Sequence, residues 1–388
     1  MNIRYLPLVS KTPRLSGRET IALVLSLVAC DGRLSVNPPP DLATSSPDAA
    51  GVDAPGLDAP ALDAALLAGE DASPTPGDAG PDPGPVTYDL GVPPSGLELH
   101  WPAPPSTVRD VRVTAPAELE GALVSGTRVT LAVSVPRVFI TQSDIELVVE
   151  DGVRVDLLQI DHRIARIRVR GGTFGGIQVE IPGTYYPSEE WHAEWRTTDL
   201  LIDDVDVEAT DTAFLLRGGV RMAVTNSRAH AVRYGVWLGD TADFGSEDII
   251  VAGNDIRVDG PEATVRFVHV VRSAVVGNRL ENAAKHNYRT HGRSSDNWAA
   301  RNVLVGTGVM LGTLPTDTWP IERQWVEGNT LYHTTPSLLE LDPTLLGLVM
   351  RDNHAYTDVW DCFVCVTVQP TWVIEDNVVE GYRAPPVE

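Results

Sequence analysis

Val251-Ala252-Gly253-Asn254-Asp255-Ile256, Val275-Val276-Gly277-Asn278-Arg279-Leu280 and Val326-Glu327-Gly328-Asn329-Thr330-Leu331 are copies of one phrase. Each runs apolar, any residue, small or polar, Asn, any residue, apolar. Ala299-Ala300-Arg301-Asn302-Val303-Leu304, Met350-Arg351-Asp352-Asn353-His354-Ala355 and Ile374-Glu375-Asp376-Asn377-Val378-Val379 repeat it. The Asn falls at 254, 278, 302, 329, 353 and 377, in steps of 24, 24, 27, 24 and 24. Weaker copies precede it around Asn226, Asp204 and Gly171. A fixed period of this size marks one supersecondary unit stacked on itself.

Between the Asn positions lie short alternating runs such as Val265-Arg266-Phe267-Val268-His269. Alternation predicts half-buried strands, and the intervening Gly, Asn and Asp predict tight turns. No helical stripe of useful length follows residue 100. The chain is therefore expected to be all-β, with each 24-residue unit forming one rung of a solenoid. Stacking at about 4.8 Å per rung would set each Asn over the last, as an internal ladder of side-chain amides. The alternative for any one Asn is a left-handed turn residue. Over residues 108–382 the pattern resembles the right-handed, single-stranded parallel β-helix of the pectate-lyase-like superfamily, a likeness specific for fold and not for activity. A leucine-rich frame is missing, and the unit is too short for a four-stranded propeller blade.

The 388 residues carry 30 Lys and Arg against 53 Asp and Glu, a net charge of −23. That balance argues against a nucleic-acid partner, which needs a basic face. Residues 1–30 hold Arg4, Lys11, Arg14 and Arg18 against Glu19, whereas 31–98 hold only Arg33 against twelve acids. A basic start, an apolar run and Leu27-Val28-Ala29-Cys30 resemble a bacterial lipoprotein signal. The resemblance implies a signal peptide over 1–29, lipidation of Cys30 and export to the cell envelope, facing periplasm or cell surface. Membrane contact would run through that lipid alone, because no apolar run reaches the roughly 18 residues of a span. Residues 30–96, with their Asp-Ala-Pro phrases at 53–55 and 58–60, read as an extended acidic tether. The β-helix domain then occupies 97–388.

Taking Phe214/Leu216, Val236/Leu238, Val265/Phe267 and Tyr288/Thr290 as inward leaves Leu215, Arg217, Trp237, Arg266, Arg289 and His291 outward, with Met310 and Glu340 farther along. Stacked, these form a basic stripe with an aromatic platform on an acidic protein. Guanidinium groups suit carboxylated or sulfated sugars. The alternative is an ordinary solvated face. The densest part is Lys285-His286-Asn287-Tyr288-Arg289-Thr290-His291. In β-helix lyases of acidic polysaccharides, Arg or Lys removes the proton α to a uronate carboxylate, often with calcium on that carboxylate. The resemblance thus implies Arg289 or Lys285 as base and His291 as its helper, with calcium as a conceivable cofactor.

Departures from that family are plain: Ile160-Asp161-His162 lacks the Trp of its signature, and Arg383-Ala384-Pro385 is not followed by its second Arg. Asp203, Asp204 and Asp206 are candidates for calcium against a reading as solvated turn acids. Asp203 or Asp204 with His230 would be needed for a polygalacturonase-like hydrolase. An insertion at 185–195 concentrates Tyr185, Trp191 and Trp195, candidates for the wall of a sugar groove. Cys362 and Cys365 read as a small structural disulfide or two buried thiols. The functional expectation is an exported β-helix that binds, and by lyase chemistry cleaves, an acidic polysaccharide. A non-catalytic carbohydrate-binding or adhesin β-helix is the alternative.

Overall fold

The computed structural model describes residues 88–180, 196–239, 245–282, 284–306, 309–311, 321–333, 339–341, 344–358 and 368–385. The chain divides into units 1–78 and 79–388, and every described residue lies in the second. Cys30, the signal and most of the tether, Tyr185, Trp191, Trp195, Cys362 and Cys365 lie outside the described residues. No helix among the described residues is long and apolar enough to cross a membrane.

The body is a parallel β-helix. Among the described residues, twelve parallel strands, from Arg109–Val113 to Val373–Glu375, stack into one continuous sheet. Eighteen more form two ladders joined through the long strand Arg154–Asp161, which pairs with Thr173–Phe174 at its start and Ile177–Glu180 at its end. In each full rung the chain passes along the first sheet, turns at the Asn position, enters the second ladder and then the third. Period-two burial fills the interior: Phe214, Val236, Val265 and Tyr288 form one inward file, and Leu216, Leu238, Phe267 and Thr290 the next. Each fully buried Leu, Ile or Phe contributes about 1.5–3 kcal/mol. The short helix Leu119–Ala122, with buried Leu119 and Ala122, lies between the first two strands of the first sheet.

The Asn ladder is present. Nδ2 of Asn254 donates to Oδ1 of Asn278, and the relation repeats to Asn302, Asn329, Asn353 and Asn377 at 2.8–2.9 Å. The same Oδ1 also accepts the backbone N–H of the Asn before it, and the second amide hydrogen goes to a backbone carbonyl such as Val275 O. At the ladder's start Ser227, not Asn226, donates its N–H to Asn254. The left-handed turn residue is the neighbour before each ladder position: Asn226, Gly253, Gly277, Arg301, Gly328, Asp352 and Asp376 all have φ between 50° and 66°. The amides from Asn254 to Asn353 are thereby satisfied in a dry interior, which is what makes the stack stabilising.

A second ladder runs at the entry to the first sheet. Asp144, Arg166, Asp199, Arg221, Asp248, Arg272, Asp296 and Arg323 alternate in sign, and all have positive φ. Each Arg grips the Asp of the preceding rung with two donors: Arg166 to Asp144 at 2.6 and 2.6 Å, Arg221 to Asp199 at 2.6 and 2.8 Å. The left-handed backbone is strained for these side chains, and the bidentate pairs hold it.

Residues 88–106 cross the outside of the first sheet. Leu90 and Leu97, with Tyr88, Leu99 and Trp101, pack on Leu201, Ala223, Ile250, Ala274 and Trp298, making a small second core. Tyr88 lies against the turn at Gly253 and Gly277, where a Cβ would fall within 2.4 and 2.1 Å of its ring and hydroxyl.

Candidate functional site

Parallel pairing sets the outward residues of the third ladder in one row. Gln178 pairs with Leu215, Leu215 with Trp237, Trp237 with Arg266, Arg266 with Arg289, and Arg289 with the Met310 and Glu340 positions in turn. His291 belongs to the neighbouring file, across from Val268. The row exists, but it is not an open groove: Arg289 is 8% and His291 2% exposed.

Arg266 is its centre. Its guanidinium lies 4.8 Å from the Trp237 ring centroid and 5.3 Å from that of Tyr234. Nε donates to His291 Nε2 at 2.9 Å, and one terminal nitrogen donates to the Tyr234 phenol oxygen at 2.5 Å. Arg217 lies over Trp237 at 5.5 Å, so the indole is held between guanidinium groups from the rungs before and after it. Trp237 therefore props up arginines, where a free platform for a sugar face was expected.

The electrostatics follow from this crowding. Burial first, then Arg266, Arg289 and His269, push the His291 pKa down to about 2. The ring is neutral, and acceptance at Nε2 places its proton on Nδ1. His286 is lowered to about 4, by burial and then by Arg289 and Lys285. Burial raises the Tyr234 phenol, with Arg266 acting against it and Glu262 acting with it. Lys285 stands on the turn after Asn282, whose Oδ1 accepts the Lys285 backbone N–H at 2.8 Å. Arg289 lies 4.0 Å from the Glu262 carboxylate. His269 packs flat on Gly292, where a Cβ would meet its ring at 2.8 Å, and its Nδ1 accepts the Arg293 N–H.

Half-buried Arg266 differs from the arginines of the Asp and Arg ladder and from Arg228. Arg166, Arg221, Arg272, Arg323 and Arg228 each clasp a carboxylate. Among the described residues, no carboxylate lies within ion-pair distance of Arg266; its partners are the neutral Tyr234, Trp237 and His291. Tyr234, Glu262, His286 and His269 were not singled out from the sequence as site residues.

Asp203, Asp204 and Asp206, candidates for calcium against a reading as turn acids, are not arranged around a common site. Asp203 is spent on the Thr225 hydroxyl and the Asn226 amide, Asp206 is clasped by Arg228, and Asp204 is a left-handed turn residue. Among the described residues no group of three or more His, Cys, Asp or Glu is placed to hold a metal ion. The hydrolase-like grouping also fails. His230 lies in a groove of about 530 Å³ on the second ladder and bonds Asp259 at 2.7 Å, with Glu208 at 3.4 Å, instead of Asp203 or Asp204.

No family description and no curated protein matches the chain. Among solved structures it is similar to the A-module of mannuronan C-5 epimerase AlgE4 from Azotobacter vinelandii, at 13% identity and a TM-score of 0.37, covering 71% of this chain and 87% of that one. It is also similar to the Dettilon tailspike protein gp208, at 12% identity and a TM-score of 0.25, covering 70% of this chain and 59% of that one.

Proposed function

We propose that the outer face of the third ladder binds an acidic polysaccharide, with Arg266 as the anion-binding residue. One observation carries this reading: Arg266 is a permanent cation, half-buried, whose described shell is entirely neutral. A guanidinium removed from water without a counter-charge is costly, and an incoming carboxylate or sulfate supplies that charge. Arg289 in the next rung and Arg217, two rungs back in the neighbouring file, extend the positive field over this face.

Binding of purified chain to an array of alginate, pectate, glycosaminoglycans and neutral glucans tests it. Retention on acidic polymers alone is expected; equal retention on neutral glucans contradicts the reading. Export, and a lipid anchor on Cys30, belong to the same proposal and rest on the leader sequence. Labelling of cells with a lipid analogue should tag the native chain and spare Cys30→Ser.

A second reading, eliminative cleavage, is favoured by His286. It is a neutral imidazole beside Arg289 and Lys285, the combination needed to take a proton α to a carboxylate and stabilise the charge left behind. Release of ultraviolet-absorbing unsaturated uronate, lost in Arg289→Ala and Lys285→Ala, would support it; no product from any acidic polymer would remove it.

A further inference from the structure

The cations of the row are not equivalent, and the difference bears on which acidic polymer fits. Arg266 meets only neutral groups among the described residues, whereas Arg289, its in-register partner one rung on, faces the Glu262 carboxylate at 4.0 Å. The two positions are separated by one strand spacing, about 4.8 Å, comparable with the length of one pyranose in an extended chain.

Glu262 is built in and not a passing occupant. It stands on the connection between Asp255–Val258 and Val265–Val268, a turn longer than the two residues that join Arg228–Ala231 to Tyr234–Gly239 one rung earlier. That longer turn is fastened at both ends. Asp259 accepts from Arg257 at 3.0 Å and bonds His230 at 2.7 Å, and Gly260 lies so close to the Val232 carbonyl that a Cβ would fall at 1.9 Å. On the far side Thr264 donates its N–H to His286 O at 2.9 Å and its hydroxyl to Asn287 Oδ1 at 3.1 Å. The Glu262 backbone carbonyl itself accepts the Asn282 side-chain amide. The fastened backbone of this turn sets the Glu262 carboxylate beside Arg289, near the Tyr234 phenol that accepts from Arg266.

We infer that Glu262 is a specificity-determining residue: it reserves the Arg289 position for a neutral sugar while Arg266 takes the acid, so the face selects polymers in which uronates alternate with neutral residues over homopolyuronates. The inference rests on the acidic-polysaccharide reading above. At the Arg289 position a second carboxylate would meet Glu262 at close range, and like charges in a partly dry site repel strongly. A sugar hydroxyl there finds a carboxylate acceptor on one side and guanidinium donors on the other, a pairing that suits a neutral residue.

Affinity of the full chain should be measured for hyaluronan, an alternating polymer, and for polygalacturonate and polymannuronate, at matched length and salt. The wild type should bind hyaluronan at least about tenfold more tightly. Glu262→Gln, isosteric and uncharged, should gain about tenfold for the homopolyuronates and close the gap. Wild type binding homopolyuronates as tightly as hyaluronan, or Glu262→Gln leaving the ratio unchanged while Arg266→Gln abolishes both, overturns the inference alone. If none of the polymers binds the wild type, the reading of the face falls with it. Unchanged thermal midpoints in the two variants keep either result from being ascribed to misfolding.

Discussion

Arg266 Nε donates to His291 Nε2 across 2.9 Å, so a fixed cation leans on an imidazole that must stay uncharged to accept it. With Nε so engaged and one terminal nitrogen on Tyr234, the guanidinium is held in a single pose with donors left over. In the proposed polysaccharide-binding reading, His291 acts as a positioning residue for Arg266. His291→Gln, which offers an acceptor oxygen, should retain most polymer affinity, whereas His291→Phe should lose about tenfold. Calorimetric titration of both variants decides this; equal affinities would free Arg266 from His291.

Acid should weaken the fold in two windows. His291 and His286 hold pKa values of about 2 and about 4, below the ordinary 6.5. Between 6.5 and those values the unfolded chain binds protons that the native one refuses, so stability is full above about 6.5 and falls as pH drops toward 4. Asp144 and Asp199 are also depressed: Asp144 chiefly by Arg166, and Asp199 because burial, which raises it, is outweighed by Arg221 and the Ala103 N–H together. Their contribution is present above the ordinary carboxylate pKa of about 3.9 and is lost below it. The thermal midpoint should decline from pH 6.5 to 4 and then more steeply. His286→Gln with His291→Gln should flatten the first decline only; a midpoint already flat in the wild type from 6.5 to 4 would contradict the shifts.

The Asn ladder predicts a graded cost along its length. Asn302 accepts the N–H and the side-chain amide of Asn278 and donates to Val275 O and Asn329 Oδ1. Asn302→Ala should cost about 3 kcal/mol or more, because several buried partners lose their bonds together. Asn377, partly exposed at the last rung described, should cost only about 1 kcal/mol. Chemical denaturation of the two variants compares them, and equal costs would mean the ladder is not the interior feature it is taken to be.

Gly277 controls the strap over the first sheet. Its φ is 64°, and a Cβ would fall 2.1 Å from the Tyr88 hydroxyl. Gly277→Ala should therefore push the Tyr88 ring off the turn and loosen the start of the 88–101 segment while the solenoid stays folded. Faster proteolysis before residue 101, with unchanged far-ultraviolet dichroism, is the expected result. Gly328, whose added Cβ would approach nothing nearer than 3.9 Å, serves as the control for the left-handed backbone alone.

The fold was legible because two periods coincide: an Asn near every 24 residues and an alternation of two within strands. Together they also place Trp237, Arg266 and Arg289 in one row from sequence alone. The Asp and Arg ladder also has a sequence signal. Asp248, Arg272, Asp296 and Arg323 each stand six residues before a ladder Asn and alternate in sign. Tyr234 was hidden because it opens a strand on the inward parity, and only its length carries the phenol to Arg266. Glu262 was hidden because a turn's direction is set by fastenings far away in sequence, at Val232, Asn282 and His286. Burial of Arg289 and His291 was likewise invisible to a pattern that only sorts inward from outward.

The role given to Arg266 stands or falls on the salt dependence of polymer binding by wild type and Arg266→Gln. The wild type should bind hyaluronan with an affinity that falls steeply as salt rises. Arg266→Gln should bind about 10–100-fold more weakly, with a shallower slope and an unchanged thermal midpoint. A folded Arg266→Gln protein that binds with wild-type affinity and slope would show that this cation, for all its neutral surroundings, is not where the anion goes.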